Sequence, residues 1–301
     1  EKKTKTKTKT KTKPLARAGA RLGIALGSAF AALAITGCFG SPTPLAPSIQ
    51  GSVGVPHHGV LTRAVPLPRK GEGYKLLRKN GVHWGNPRLV SAIEHAAREV
   101  ARARPGGAPL VIGDISARFG GATSGHRSHR TGRDADLLLY ALTPDGRPVT
   151  SPGFIEFGPD GLGAGEDGDF FRIDIEREWL LIKAFLDAPG SSVQWMFIAR
   201  WLEALLIEHA RARGEDPELI WHAETVLLQP GDSSAHGDHI HIRIACSPAE
   251  AVQGCLGGGP YWSWIPALPQ LVPPSDVDLA IAIIGDLLPG ASSTATAAAG
   301  P

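Results

Sequence analysis

Cysteine is scarce in this 301-residue sequence, which contains only Cys38, Cys246 and Cys255. No Cys-x-x-Cys pair occurs, and this argues against a zinc site built from cysteines. Eight residues separate Cys246 from Cys255. In an exported protein we expect these two cysteines to form one disulfide, and two free thiols are the alternative.

Two features that would define a class of function are also missing. The formal net charge is +2, but residues 1–37 hold seven Lys, two Arg and one Glu, and the remainder carries 22 basic and 28 acidic side chains. This balance argues against a basic patch that binds nucleic acid. No Gly-x-Ser-x-Gly frame surrounds Ser116, Ser128 or Ser234, which argues against a serine hydrolase.

The apolar run near the N-terminus, residues 22–35, is too short for a comfortable membrane span. It follows a lysine-rich segment and ends in Ile-Thr-Gly before Cys38, a pattern typical of a lipoprotein signal peptide. We predict that residues 1–37 are this signal peptide and that lipidated Cys38 anchors the protein in the outer membrane, facing the periplasm. A plain secretory signal or a membrane anchor is the alternative.

The distribution of Pro, Gly and Ala predicts the domain organisation. Residues 38–68 read as a flexible tether, residues 69–265 as one domain, and residues 266–301 as a Pro/Ala-rich, partly disordered tail. Within the domain, residues 142–169 are rich in Gly and Asp. We predict that this segment is mostly loop and faces the substrate.

The remaining patterns predict a mixture of helices and strands. Helical spacing of apolar residues occurs after Asn86-Pro87 and in residues 174–186 and 202–213. Short apolar or alternating runs predict strands at residues 110–112, 137–140, 193–198 and 239–244. We therefore expect an α+β fold with a central antiparallel sheet flanked by helices. The first of these strands should carry Asp114 toward the histidine-rich residues that follow.

Histidine and carboxylate groups are concentrated in residues 125–136 and 236–241, which hold five of the eleven histidines. Six residues separate His129 from Asp136, and the turn between them can bring both side chains to one point. His241 projects from the polar face of a strand. Two imidazoles and one carboxylate would leave the fourth position of a tetrahedral zinc open for water, which is typical of a catalytic zinc.

Other histidines of these stretches have predicted roles beside the metal. His239 precedes His241 by two residues and is placed to act as general base and then as general acid. A hydrogen-bonding role next to a ligand is the alternative for His239. His126 and His236 either take part in the site or support a ligand through its second nitrogen.

Four further residues near the histidine stretches or the C-terminal cysteines have predicted roles, and for three of them two roles are possible. We expect Asp134 to orient His129. Arg243 either holds a substrate carboxylate or an oxyanion, or is an ordinary surface arginine. Trp262 and Trp264 either line a groove for glycan or pack against the loop between the two C-terminal cysteines.

The histidine stretches resemble the signature of the penicillin-insensitive murein endopeptidases. The resemblance rests on Gly-His-Arg-Ser-His at residues 125–129, Asp-Ala-Asp at residues 134–136 and His-Gly-Asp-His-Ile-His-Ile-Arg at residues 236–243. It extends over roughly residues 70–265. The family is similar to lysostaphin, the D-Ala-D-Ala metallopeptidases and the hedgehog domain, so the resemblance implies a hedgehog/DD-peptidase-like fold.

The resemblance also implies roles for single residues and an activity. It implies three zinc ligands, His129, Asp136 and His241, and two catalytic histidines, His239 and His236. His126 matches a further histidine beside the metal, which serves a second metal or supports a ligand. The implied activity is hydrolysis of D-alanyl-diaminopimelate cross-links in peptidoglycan. The alternatives are a D-Ala-D-Ala carboxypeptidase of the same group and a non-catalytic peptidoglycan-binding lipoprotein.

Overall fold

A computed structural model describes residues 48–231, 233–257, 259–269 and 277. The predicted signal peptide, the lipidated Cys38 and nearly all of the predicted tail lie outside these residues. Within them, no helix is long and apolar enough to cross a membrane.

The described residues form fifteen strands and five helices. In chain order the strands are β1 Gly51–Val55, β2 His58–Thr62, β3 Val65–Pro66, β4 Lys70–Gly71, β5 Tyr74–Leu76, β6 Trp84–Gly85, β7 Leu110–Ile112, β8 Asp134–Leu138, β9 Ala141–Leu142, β10 Pro148–Val149, β11 Leu162–Ala164, β12 Phe170–Ile173, β13 Val193–Phe197, β14 Leu227–Leu228 and β15 His239–Ile244. The helices are α1 Pro87–Ala103, α2 Ile175–Leu186, α3 Arg200–Ala212, α4 Pro217–Val226 and α5 Pro248–Ala251. This content confirms a mixed α+β architecture.

Seven strands form the largest sheet, in the order β14-β13-β15-β8-β7-β5-β4. Its four middle strands, β13, β15, β8 and β7, are antiparallel neighbours. The sheet as a whole is mixed, because β5 pairs with β7 and β13 with β14 in parallel. In both cases the chain passes through helices between the two strands, which is the crossover that a parallel pair requires.

Helix ends follow the capping signals of the sequence. Asn86 caps α1 by accepting a hydrogen bond from the backbone N–H of Arg88, and Asp174 caps α2 in the same way from Arg177. These two helices and α3 confirm the predicted helices to within two residues at their ends. Helix α4 was not predicted, although Asp216-Pro217 repeats the cap-and-proline pattern that marks the start of α1.

The apolar faces of the helices and of the largest sheet form one core. Alternate residues of β15, Ile240, Ile242 and Ile244, are buried in this core together with apolar residues of α1 and α2. Burial of each such side chain stabilises the fold by roughly 1.5 to 3 kcal/mol. The residues between them, His239, His241 and Arg243, lie on the other face of the sheet, so the strand alternation separates core from site.

Residues 51–67 are part of the folded domain, so the prediction of a flexible tether is wrong for them. Strands β1 and β2 form an antiparallel hairpin. The Ser52 hydroxyl donates to the Thr131 carbonyl at 2.7 Å, and the Leu61 N–H donates to the Phe119 carbonyl at 3.0 Å. The tether prediction rested on Gly and Pro content, but Gly54 has a φ of 83°, which allows the hairpin to turn close to its neighbours.

The predicted loop at residues 142–169 also contains regular structure. Strands β9, β10 and β11 from this region form a second sheet with β12, in the order β10-β9-β12-β11. The segment between β10 and β11 is the part that reaches the histidine stretches, through Phe154. The disulfide between Cys246 and Cys255 is present, as predicted.

Candidate metal centre in an open cleft

Three side-chain atoms of the histidine stretches meet at one point. His129 Nε2 lies 3.2 Å from Asp136 Oδ1, and His241 Nδ1 lies 3.1 Å from the same oxygen. The two nitrogens are 3.3 Å apart. Asp136 and His241 are directly opposite each other in the β8–β15 ladder, and the loop before β8 brings His129 to them.

This triangle fits the requirements of a metal ion. Ligands of a tetrahedral zinc, each about 2.0 to 2.2 Å from the metal, lie about 3.3 Å from one another. Asp136 Oδ1 is buried, and no hydrogen bond of normal geometry reaches it within the described residues. Burial would raise the pKa of Asp136, but the surrounding imidazoles hold this pKa well below its usual value. An ionised, otherwise unsatisfied oxygen between two imidazole nitrogens is a donor set for a cation.

The second nitrogen of each imidazole is held by an oxygen acceptor. His129 Nδ1 donates to the Ile115 carbonyl at 2.6 Å, and His241 Nε2 donates to Asp134 Oδ1 at 2.9 Å. Each proton is thereby fixed on the outer nitrogen, which leaves the lone pair of the inner nitrogen free for a metal. The prediction that Asp134 orients His129 is wrong, because Asp134 lies against His241.

Asp134 also binds Arg243, whose Nε donates to Asp134 Oδ1 at 2.6 Å. The two residues are opposite each other in the β8–β15 ladder. Burial would raise the pKa of Asp134, but the charge of Arg243 and the bond from His241 lower it. Arg243 also lies over the ring of Phe197 at 5.5 Å. Its contacts therefore support a metal ligand, and its side chain lines the cleft.

His239 lies next to the three candidate ligands but is not part of the triangle that they form. Its Nε2 is 3.5 Å from Asp136 Oδ1, and its Nδ1 is 2.6 Å from Asp238 Oδ1. Burial lowers the pKa of His239, but the neighbouring Asp136 and Asp238 outweigh burial and raise it to about 9. The His236 ring lies 4.8 Å from the His239 ring, and its Nδ1 donates to the Ser234 carbonyl. Burial and the neighbouring His239 lower the pKa of His236.

His126 contacts the site from the opposite side. Its ring lies 4.3 Å from the His129 ring, and its Nδ1 is 3.6 Å from Asp136 Oδ2. Its Nε2 is 3.0 Å from Asp114 Oδ2. His126, His129 and Asp136 form one group able to hold a metal ion, and His236, His239 and His241 form another. The structure thus brings all of the predicted site residues together.

Asp114 is the centre of a polar network that the sequence indicated only in part. The strand β7 does carry it to His126, as expected. Its carboxylate also accepts hydrogen bonds from Asn80, at 2.6 Å, and Arg78, at 3.0 Å. Burial would raise the pKa of Asp114, but the bonds from His126, Asn80 and Arg78 lower it to about 2. Arg78 and Asn80 carried no signal in the sequence, because they lie in an irregular segment far from either histidine stretch.

The candidate ligands lie in an open cleft of about 970 Å³. Two aromatic residues that we did not predict also line it, Phe154 and Phe197. The His239 ring packs edge-on against Phe154 at 5.3 Å, and the His241 ring lies 5.5 Å from Phe197. The strand alternation of β13 could have indicated Phe197, since it faces the same side as Trp195. Nothing in the Gly- and Pro-rich surroundings of Phe154 distinguished it.

The fold and the site together define a class: a mixed α+β domain whose open cleft brings together two imidazoles and a carboxylate able to hold a metal ion. A family model described as "Penicillin-insensitive murein endopeptidase" matches residues 52–151. A protein of that name from Haemophilus influenzae is 27% identical over 254 residues, which cover 74% of this chain and 76% of the relative. Proteins of that name from Escherichia coli are 34% identical over 118 residues, which cover 38% of this chain and 42% of each relative.

The chain is thus similar to the penicillin-insensitive murein endopeptidases, over residues 52–151 in the family model and over most of its length in the H. influenzae relative. The matched residues begin at residue 52, so they include the hairpin that we had placed in a tether. The match to the E. coli relatives spans less than half of their length.

Proposed function

We propose that this protein is a zinc-dependent murein endopeptidase that hydrolyses the D-alanyl-diaminopimelate cross-link of peptidoglycan. The observation that carries the proposal is the triangle of His129 Nε2, Asp136 Oδ1 and His241 Nδ1, with edges of 3.1 to 3.3 Å. The names of the relatives support a murein substrate and cleavage within the peptide.

Zinc is the metal that the donor set favours, because two imidazoles, one carboxylate and an open cleft are typical of its catalytic sites. Bound there, zinc would supply a Lewis acid and an activated water near neutral pH. The protein's part is to hold the ligands in place. The Ile115 carbonyl fixes His129, and Asp134 fixes His241.

His239 is the residue that we assign to proton transfer. It faces the cleft and lies beside Asp136 without taking the place of a ligand. In the neutral form of the ring, its Nε2 would accept a proton from the attacking water and return it to the leaving amine, and the carboxylates of Asp136 and Asp238, which raise its pKa, make it a stronger base. Asp238 at Nδ1 keeps the ring oriented and stabilises the protonated ring between the two transfers. His236, whose pKa is lowered, remains neutral beside it and is the second histidine assigned to the active site.

Two arginines lie on different walls of the cleft and offer positive charge to the substrate. Arg78 lines it next to Asp114, and Arg243 lines it next to Phe197. Cross-linked stem peptides carry free carboxylates on both sides of the scissile amide. We assign the two arginines to these carboxylates.

The wider context is also part of the proposal. A hedgehog/DD-peptidase-like fold and a lipid anchor at Cys38 in the outer membrane, facing the periplasm, both agree with a cell-wall substrate. The disulfide supports an oxidising compartment. Metabolic labelling with palmitate, compared between the wild type and a Cys38→Ala variant, tests the anchor. Equal labelling of the two proteins would disprove it.

The activity is tested with the variants His129→Ala and Asp136→Ala and with purified cross-linked muropeptide dimers. We expect both variants to lose bound zinc and nearly all cleavage, because each lacks one of three ligands. His58→Ala is the matched control, since His58 is exposed and outside the cleft. The wild type should release uncross-linked monomers, whereas a carboxypeptidase would release free D-alanine. Full cleavage by a variant without zinc would refute the proposal.

A further inference from the structure

Five aromatic side chains form a continuous row that starts in the cleft. From Phe197, which lines the cleft, the row continues through Trp195, Trp262 and Trp264 to Trp221 on α4. Successive ring centroids are 5.9, 5.2, 5.7 and 5.5 Å apart. We call these five residues the aromatic row. It leads from the candidate ligand His241, which packs against Phe197, to the surface of a helix outside the cleft.

Strand alternation places the start of the row on the face that carries the metal site. In β13, Val193, Gln194 and Met196 are buried, whereas Trp195 and Phe197 are partly exposed. The β13–β15 ladder pairs Phe197 with His241 and Trp195 with Arg243. The row therefore starts on the face of the sheet that carries the candidate ligands and is continuous with the cleft through Phe197.

The row is not simply part of the core. It contains four of the seven tryptophans in the chain. None of the four is fully buried, and Trp221 is 53% exposed, whereas Trp179 in the core is 1% exposed. A tryptophan side chain is largely apolar, and its exposure removes the gain from burial. Partly exposed rings in a line one ring wide indicate a surface for a ligand.

The rings are held in place before any ligand arrives. The Trp262 indole N–H donates to the Gln194 carbonyl at 2.9 Å, and the Gln194 amide donates to the Pro260 carbonyl at 3.3 Å. Gly259 lies against Trp195, since a Cβ at this position would come within 2.9 Å of the indole nitrogen. A surface that is already ordered loses little conformational entropy when it binds.

We propose that the aromatic row binds the glycan strand of peptidoglycan while the metal site acts on the attached peptide. This inference rests on the proposed function, because that function places a polymer of sugars and peptides in the cleft. Sugar rings are neutral and flat and present C–H groups to aromatic faces, as the row requires. The rings of the row carry no charge, and Arg243, which we assign to a substrate carboxylate, lies beside the row at its cleft end. A narrow line of aromatic side chains matches the shape of a linear polysaccharide better than the broad surface of a partner protein.

Binding to glycan strands without stem peptides tests the row directly. The probe is peptide-free glycan released from sacculi by an amidase, added to the zinc-loaded full chain. Trp221→Ala should bind it about tenfold more weakly, since one exposed stacking contact is lost. Trp221→Tyr should retain most of the affinity because it keeps a ring. Phe170→Ala is the control, because Phe170 is 67% exposed and outside the row, and it should bind like the wild type.

A second variant and a second substrate make the test independent of the proposed function. Trp262→Ala removes the middle of the row, and circular dichroism and zinc content report whether this variant is folded. Both tryptophan variants should lose more cleavage on intact sacculi than on a sugar-free cross-linked peptide. Unchanged glycan binding, or equal losses on the two substrates, would overturn the role of the row. Failure of the wild type to cleave either substrate would instead refute the proposed endopeptidase activity. The glycan-binding measurements would still test the role of the aromatic row.

Discussion

At the scale of single residues, Asp134 supports the candidate ligand His241 without being part of the triangle itself. It is completely buried, accepts from His241 Nε2 and pairs with Arg243. A carboxylate in this position raises the basicity of the ligand nitrogen on the far side of the ring. Its negative charge also compensates the positive charge of Arg243, which lines the same cleft as the candidate ligands.

We predict that Asp134→Asn weakens zinc binding about 10- to 100-fold, the usual effect of losing such an outer carboxylate. The side-chain oxygen of asparagine can still accept the bond from His241, so the variant should fold. A competition titration with a chromophoric chelator measures the affinity. Asp145→Asn is the matched control, because Asp145 is exposed and pairs only with its neighbours Thr143 and Arg147. Equal zinc affinity in the two variants would contradict the role given to Asp134.

The residues of the triangle could be predicted from the sequence, but their supporting contacts could not. His129 and Asp136 are close in the chain, so the turn between them limits how far apart they can lie. The partner of Asp134 depends on the register of β8 against β15, two strands about a hundred residues apart. The spacing of residues within one segment of the sequence does not determine that register. Arg78 and Asn80 reach Asp114 through the same kind of long-range contact.

At the scale of elements, the β1–β2 hairpin is the clearest departure from prediction. The Ser52 hydroxyl donates to the Thr131 carbonyl and accepts from the Asn86 amide at 3.1 Å, and both bonds are buried. Thr131 lies in the loop between His129 and Asp136, and Asn86 caps α1. The hairpin therefore connects the first helix to the loop that carries a candidate ligand.

We predict that Ser52→Ala lowers the free energy of unfolding by about 1 to 3 kcal/mol, because the buried Thr131 carbonyl loses its side-chain donor and the Asn86 amide keeps only Glu250 as an acceptor. Urea denaturation at a fixed zinc concentration measures the change. Ser48→Ala is the control, since Ser48 is exposed and should change the stability by less than about 0.5 kcal/mol. If the hairpin were a loose tether, the two variants would have the same stability.

Elements with their own local signals were predicted well, and elements defined by pairing were not. Helices α1 and α2 have a capping residue and an apolar face, which are both properties of consecutive residues. Strands β9, β10 and β11 have two or three residues each and are stabilised by pairing within the sheet that they form with β12. Segments this short show no alternation of apolar and polar residues from which a strand could be predicted. The Gly and Asp residues around them indicated loops, which is correct for the turns alone.

At the scale of the whole molecule, one buried carboxyl group makes the stability of the fold depend on pH. Glu178 of α2 is fully buried, and its Oε2 accepts from the Tyr140 backbone N–H at 2.9 Å. Its other oxygen has no hydrogen-bond partner among the described residues. Burial raises the pKa of Glu178 to about 8, and the nearby Asp174 adds to the rise, while the bond from Tyr140 opposes it. The folded protein therefore favours the neutral form of this side chain.

The sign of the pH dependence follows from the two states. In the unfolded chain Glu178 titrates near its ordinary pKa of 4.5, and in the folded chain near 8. Between these values the folded state binds more protons, so its stability falls as the pH rises through this window and falls no further above it. Glu178→Gln keeps a neutral side chain of similar shape. Its stability relative to the wild type should rise by about 2 to 3 kcal/mol between about pH 5.5 and about pH 7.5.

Urea denaturation of the variant and the wild type at both pH values, at the same zinc concentration, isolates this contribution, because the other titrating groups are common to both proteins. Glu176→Gln is the matched control: Glu176 lies two residues earlier in the same helix, is partly exposed and pairs with Arg104. Its stability relative to the wild type should be nearly the same at both pH values. A constant difference for Glu178→Gln would show that this carboxyl group is ionised in the folded protein. The core between α2 and the sheet would then have to accommodate a buried charge.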